Sequence, residues 1–198
     1  MAKKETKEKR VGDLILAAVE EFTQKGYEGA SMEAIAARAG VSKGGLYHHF
    51  SSKEEILRAT QQKLMEPIFI MAEQSRVESS PQEGLRKFIR GYLVYWDLRE
   101  MELSFFLLAL AKAMLCPEIR MEYEVGTEAM IEGFTALYRR GVAAGEFVEH
   151  DCRGSAVTLM FALDGALAYR KLDAKLGLED TFRQLEERFI TSLEREKT

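Results

Sequence analysis

This chain of 198 residues is poor in cysteine, proline and histidine, and each shortage closes off a class of explanation. The two cysteines, Cys116 and Cys152, lie far apart and in no Cys-x-x-Cys pattern, which argues against a disulfide framework or a structural zinc site. Two reduced thiols suit a cytoplasmic protein. Of three histidines, two are the neighbours His48 and His49. Adjacent helical residues point about 100° apart, so this pair is badly placed to share an ion. No nucleophile, base and metal-ligand set converges, and the expectation is a protein without catalytic residues, metal or cofactor. With three prolines and little period-two alternation, sheet is not expected. Apolar residues recur at helical spacing nearly throughout, which predicts an all-α fold. No run of about 18 apolar residues is present, so no membrane span is expected. The opening MAKKETKEKR is charged without the apolar stretch of a signal peptide.

A net positive charge is also lacking: 28 basic against 32 acidic groups leave −4. The distribution is uneven. Residues 1–53 carry nine basic and seven acidic groups, whereas residues 54–198 carry 19 and 25. Five of the basic groups fall in the first ten residues. The N-terminal end is therefore the one suited to a polyanion.

Periodicity predicts about nine helices. Val11, Leu14, Ile15, Ala18 and Phe22 form one stripe on a helix over about 8–25, which Gly26 can end in a left-handed conformation. Ser31 can cap a second helix whose Met32, Ile35 and Ala36 face inward. Gly40 supplies a turn, Val41 plugs it, and Ser42 caps a third helix with Leu46 and Phe50 inside. Ser51 with Glu54, and Ser52 with Glu55, both fit a capping box for a fourth helix reaching about Gln74, with Pro67 a possible kink. Ser80-Pro81-Gln82-Glu83 starts another, to about Leu98. Further helices are expected over 102–115, from Pro117 to about Gly145 with a possible break at Gly126, from an Asp151 cap to Leu172, and from Gly177 to about Glu196.

Residues 31–53, SMEAIAARAGVSKGGLYHHFSSK, read as two short helices joined by a tight turn. In a helix-turn-helix the second helix enters the major groove with its N-terminal end against base edges. Here that end is Ser42-Lys43-Gly44-Gly45. Each glycine costs a helix interior about 1 kcal/mol relative to alanine, and close approach of backbone to a ligand is a reason to retain it. Lys43 can reach a phosphate or guanine acceptors, Tyr47 and His48 can donate to phosphate oxygens, and Lys53 opposes the dipole of the next helix unless an anion is near.

This segment resembles the DNA-binding region of the TetR family of bacterial transcriptional regulators. The resemblance covers about residues 8–55, with AGVSKGGLYHHF at 39–50 and Ser52-Lys53-Glu54-Glu55 its most specific parts. It places DNA contacts on Ser31, Ser42, Lys43, Gly45, Tyr47, His48 and Lys53, with Gly44 at a position where the family also accepts glycine. It further implies a dimer and an effector pocket in a larger C-terminal domain. The expected organisation is a DNA-binding domain over 1–52 and a helical effector-binding and dimerisation domain over 53–198.

In the larger domain, large apolar groups gather between residues 88 and 138. Methionine suits adaptable pockets, while tyrosine and tryptophan carry polar tips that need partners when buried. Tyr92, Trp96, Phe105, Phe106, Met114, Tyr123, Met130 and Phe134 are the candidate effector contacts, for a lipophilic or amphipathic aromatic ligand. The row Glu124, Glu128 and Glu132 could attract a cationic ligand, but the favoured reading is a solvated helix face. Asp164 interrupts the apolar run AVTLMFALDGALAY and needs a partner helix or an effector cation. Small residues around Phe161 and Gly165, and the stripe Phe182, Leu185, Phe189 and Leu193, suit a four-helix dimer interface. The whole points to a homodimeric regulator, a repressor of a palindromic double-stranded operator released by a small effector. A small-molecule carrier and a helical interaction module are the alternatives.

Overall fold

The structure is a computed structural model and describes residues 2–173 and 175–195, with side chains from Glu8 onward. Among the described residues it is all-helical: α1 (Ala2–Gly29), α2 (Met32–Arg38), α3 (Lys43–Tyr47), α4 (Lys53–Val77), α5 (Pro81–Asp97), α6 (Glu100–Leu115), α7 (Pro117–Ala143), α8 (Cys152–Leu172) and α9 (Leu178–Phe189), followed by a 3-10 turn at Thr191–Leu193. None of these helices is long and apolar enough to cross a membrane.

The caps fall where the sequence puts them. The Ala34 N–H donates to Ser31 Oγ (3.1 Å), Gly45 N–H to Ser42 Oγ (3.1 Å), Glu83 N–H to Ser80 Oγ (3.3 Å) and Gly154 N–H to Asp151 Oδ1 (2.9 Å). The two registers open for α4 resolve to Ser52, whose Oγ accepts from Glu55 N–H, while the Glu55 carboxylate reaches back to Ser51 N–H (2.6 Å). Gly26 leaves helical geometry at φ 69°, which ends the regular part of α1 where expected, and a further turn runs to Gly29. Gly40 takes φ 65° and closes α2 in a Schellman turn: Val41 N–H donates to Ala36 O (3.0 Å) and Gly40 N–H to Ala37 O (3.1 Å).

Several boundaries differ from the expectation: α1 begins at Ala2 and not near Glu8, and α4 runs on to Val77 past Gln74. α7 passes Gly126 unbroken, because a single glycine lowers helix stability without removing a backbone hydrogen bond. α6 starts at Glu100, two residues early. α9 ends at Phe189, where the chain turns at Ile190 instead of continuing; Glu196 lies outside the described residues.

The helices form two compact units. The first comprises residues 1–66 and 100–122, the second 67–99 and 123–198. The first thus takes in α6 and the start of α4 besides the three helices of the expected 1–52 domain. Its core holds Leu14, Ala18, Phe22, Ile35, Leu46 and Ile56 together with Phe105, whose ring lies 5.9 Å from that of Phe22. The second unit closes on Phe88, Tyr92, Trp96, Phe134, Tyr138, Leu159 and Leu163, with Phe88 and Phe134 in edge contact at 4.7 Å.

Candidate functional site

In the first unit, α3 is held by one buried side chain, Leu46, with Phe50 buried just beyond its end. Everything else at its N-terminal end faces out: Ser42, Lys43, Gly44, Tyr47 and His48 are exposed. The two glycines have different surroundings. A Cβ on Gly45 would come 3.3 Å from Ser42 Oγ, the oxygen that caps the helix, so Gly45 keeps the cap undisturbed. A Cβ on Gly44 would meet nothing within 4 Å. Nothing in the chain itself requires glycine there, and the space is open to a partner from outside.

Lys43 is already oriented. Its ammonium pairs with Glu33 of α2 and stands 5.8 Å from the centre of the Tyr47 ring. The hydrogen bond with Glu33, more than its charge, lifts the Lys43 pKa and lowers that of Glu33. Glu33 lies outside the α3 segment and the cation and aromatic positions that mark the motif. The i-to-i+10 step across the turn, from α2 to α3, is the geometry that would have revealed it.

Lys53 is tied to the end of α1. Its ammonium donates to the carbonyls of Tyr27 (2.7 Å), Ala30 (3.1 Å) and Glu28 (3.4 Å), and lies 4.6 Å from the centre of the Tyr27 ring. The charge that opposes the dipole of α4 is absorbed by the carbonyl end of α1. The same tyrosine donates from its hydroxyl to Glu54 and lies 4.1 Å under the ammonium of Lys112, which pairs with Glu28 at 2.8 Å. Burial first, then the hydrogen bond to Glu54, raise the Tyr27 pKa, so the phenol keeps its proton. Tyr27 therefore joins the ends of α1, α4 and α6.

The eight candidate effector contacts do not fall in one body. Phe105 and Phe106 are buried in the first unit, the former against Phe22, and Met114 of that unit is 66% exposed. Of these three, two are core of the first unit and one is surface. Periodicity showed that they were apolar, not which unit would bury them. Tyr92, Trp96, Tyr123, Met130 and Phe134 belong to the second unit. There Tyr92 Oη donates to Asp164 Oδ1 at 2.9 Å. The Tyr123 hydroxyl is buried without a hydrogen-bond partner among the described residues. Burial raises the Asp164 carboxyl above its ordinary range, and the Tyr92 hydrogen bond offsets only part of this. Glu128 and Glu132 pair with Arg153 at 2.8 and 2.5 Å, a surface network between α7 and α8.

The expected interface residues divide as well. Phe161 is 67% exposed and Gly165 would accept a Cβ with nothing within 4 Å. Tyr169 and Leu172 extend the same exposed side of α8. Phe182 and Leu185, in contrast, are buried in the chain's own second unit, with the Arg90 guanidinium 4.8 Å from the Phe182 ring centre. Phe189 and Leu193 are half-buried. The apolar stripe of α9 is thus used inside the chain, and its outward face is Glu179, Asp180, Arg183, Gln184, Glu187 and Arg188.

Known proteins share this arrangement. A family model described as bacterial regulatory proteins, tetR family, matches residues 14–60. The HTH-type transcriptional regulator BetI of Ectopseudomonas mendocina is 30% identical over 134 residues, which are 66% of this chain and 68% of that protein. The HTH-type transcriptional activator FasR of Mycolicibacterium smegmatis is 32% identical over 136 residues, 68% of this chain; the match spans 61% of the length of that relative. Among solved structures, the TetR family transcriptional regulator PfmR from Thermus thermophilus superposes with a TM-score of 0.76 at 28% identity, over 92% of this chain and 99% of the other. With a solvent-facing α3 on this fold, the chain belongs to the TetR family of DNA-binding bacterial transcriptional regulators.

Proposed function

We propose that the protein is a homodimeric repressor of a palindromic operator, released by a small lipophilic effector. Residues 1–52 would dock on DNA and residues 53–198 would bind the effector and dimerise. The observation that carries the docking face is the empty space over Gly44, flanked by exposed Lys43, Tyr47 and His48. A bare helix start lets amide N–H groups approach a phosphate, while Lys43 enters the groove. Ser31 and Ser42 act there through the caps that fix α2 and α3, and Lys53 acts by anchoring α4 to α1.

Two copies joined through the exposed side of α8 (Phe161, Gly165, Tyr169, Leu172) would present two recognition helices. Successive major-groove faces lie roughly 34–36 Å apart, so the spacing between the two helices decides affinity. An effector that binds the DNA-incompetent state better shifts the population away from DNA. α4 runs from Lys53 in the first unit past Pro67 into the second and is the element both functions share.

The test is titration of ligands against operator-bound protein, followed by fluorescence anisotropy and a transcription reporter. Loss of operator affinity with ligand, and rising transcription, are expected. Operator affinity unchanged by every ligand that binds would sink the effector reading, and transcription that falls when the protein is removed would make it an activator.

A further inference from the structure

Asp164 is half-buried on α8 between apolar neighbours, and a carboxylate in such a place is costly unless something neutralises it. Its partner in the second unit is a neutral hydroxyl, Tyr92 Oη at 2.9 Å. No lysine or arginine among the described residues forms an ion pair with it, and the hydrogen bond from Tyr92 is the one influence that favours its ionised form. Tyr123, from α7, brings a buried hydroxyl with no partner among the described residues, close enough for the charge of Asp164 to raise its pKa further. Tyr92 has spent its single O–H on Asp164. Tyr92 Oη is also engaged by the Trp96 side chain, so what remains at the cluster is the second carboxylate oxygen of Asp164 and the Tyr123 hydroxyl, with no lysine or arginine paired there. Aromatic rings adjoin it: Trp96 packs against Tyr92 at 6.4 Å and against Tyr95 at 5.0 Å between ring centres, both pairs T-shaped. Aromatic faces attract cations and repel anions.

We propose that Asp164, with Tyr92 and Tyr123, is the polar anchor of the effector site, and that the effector is a lipophilic amine whose ammonium group meets the Asp164 carboxylate. This rests on the ligand-responsive reading above and narrows it to one charge class. A fatty carboxylate would set two like charges together. A neutral alcohol would satisfy the Tyr123 hydroxyl but leave the carboxylate uncompensated.

The chain's single tryptophan, Trp96, reports binding directly, without DNA. Full-length protein titrated with decylamine, decanol and decanoate below their aggregation limits should bind decylamine at least tenfold more tightly than decanol, and decanoate most weakly. In Asp164→Asn the amine preference should vanish while decanol binding persists. In Tyr123→Phe, a milder change, decylamine affinity should fall severalfold at unchanged thermal stability. Wild-type protein that binds decanol or decanoate as tightly as decylamine, or a preference that survives in Asp164→Asn, overturns the assignment and leaves the effector reading standing. Ammonium chloride reproducing the decylamine response overturns the lipophilic part of it. Binding of none of the three amphiphiles removes the proposal and counts against a lipophilic effector altogether.

Discussion

Gly44 and Asp164 each hold a side-chain choice that folding alone does not favour. Glycine inside a helix gives up about 1 kcal/mol to alanine, and at Gly44 an added methyl meets nothing. Gly44→Ala should therefore raise thermal stability by up to about 1 kcal/mol while weakening DNA binding, two effects of opposite sign that calorimetry and anisotropy read separately. A variant that binds DNA as well as the wild type would mean that the open space has no function. Asp164 can be checked by pH. Its folded pKa is raised above the ordinary value of 3.8, so the unfolded chain releases this proton first. The folded state then loses stability as pH rises from that ordinary value through the raised one, and Asp164→Asn removes the loss. Denaturation of both proteins across the acidic range should show the wild type falling relative to the variant with increasing pH. Parallel curves would contradict the burial of this carboxylate.

For single elements, what the sequence reveals depends on how local the signal is. The turn between α2 and α3 was legible because its bonds join residues three to five apart: Ser31, Gly40 and Ser42 each act on their own neighbourhood. Periodicity likewise identified which residues of α6 and α9 are apolar. It did not identify the surface each meets, since that is set by packing between helices distant in sequence. Phe105 lies against Phe22, 83 positions earlier, and Phe182 turns into its own unit, with Arg90 over its ring. Lys53 shows the same limit: the conflict with the helix dipole was legible, its resolution by the α1 carbonyls was not. The burial of the α9 stripe within one chain can be tested directly. Leu185→Ala should cost about 2–5 kcal/mol of stability in dilute protein, independent of protein concentration. A change in oligomeric state at unaltered monomer stability would return Leu185 to the interface.

At the scale of the whole molecule, the proposed function assigns DNA to an α3 surface of the first unit and the partner copy to an α8 surface of the second. If exposed Phe161 lies between subunits, Phe161→Glu should yield a folded monomer in analytical ultracentrifugation. It should also lose most of its affinity for a full palindrome while keeping that for a half-site, because only the pairing of two recognition helices is removed. A dimer that persists in this variant would place the interface elsewhere. The central claim, however, concerns the face that meets DNA. It is tested most directly by selecting duplexes from a random library with the purified protein, wild type beside a Lys43→Ala, Tyr47→Ala variant of matched thermal stability. The expected result is enrichment of a two-fold symmetric site by the wild type, with affinity falling steeply as salt rises, and its loss in the variant. Enrichment of the same site by both proteins would show that DNA is read by some other surface.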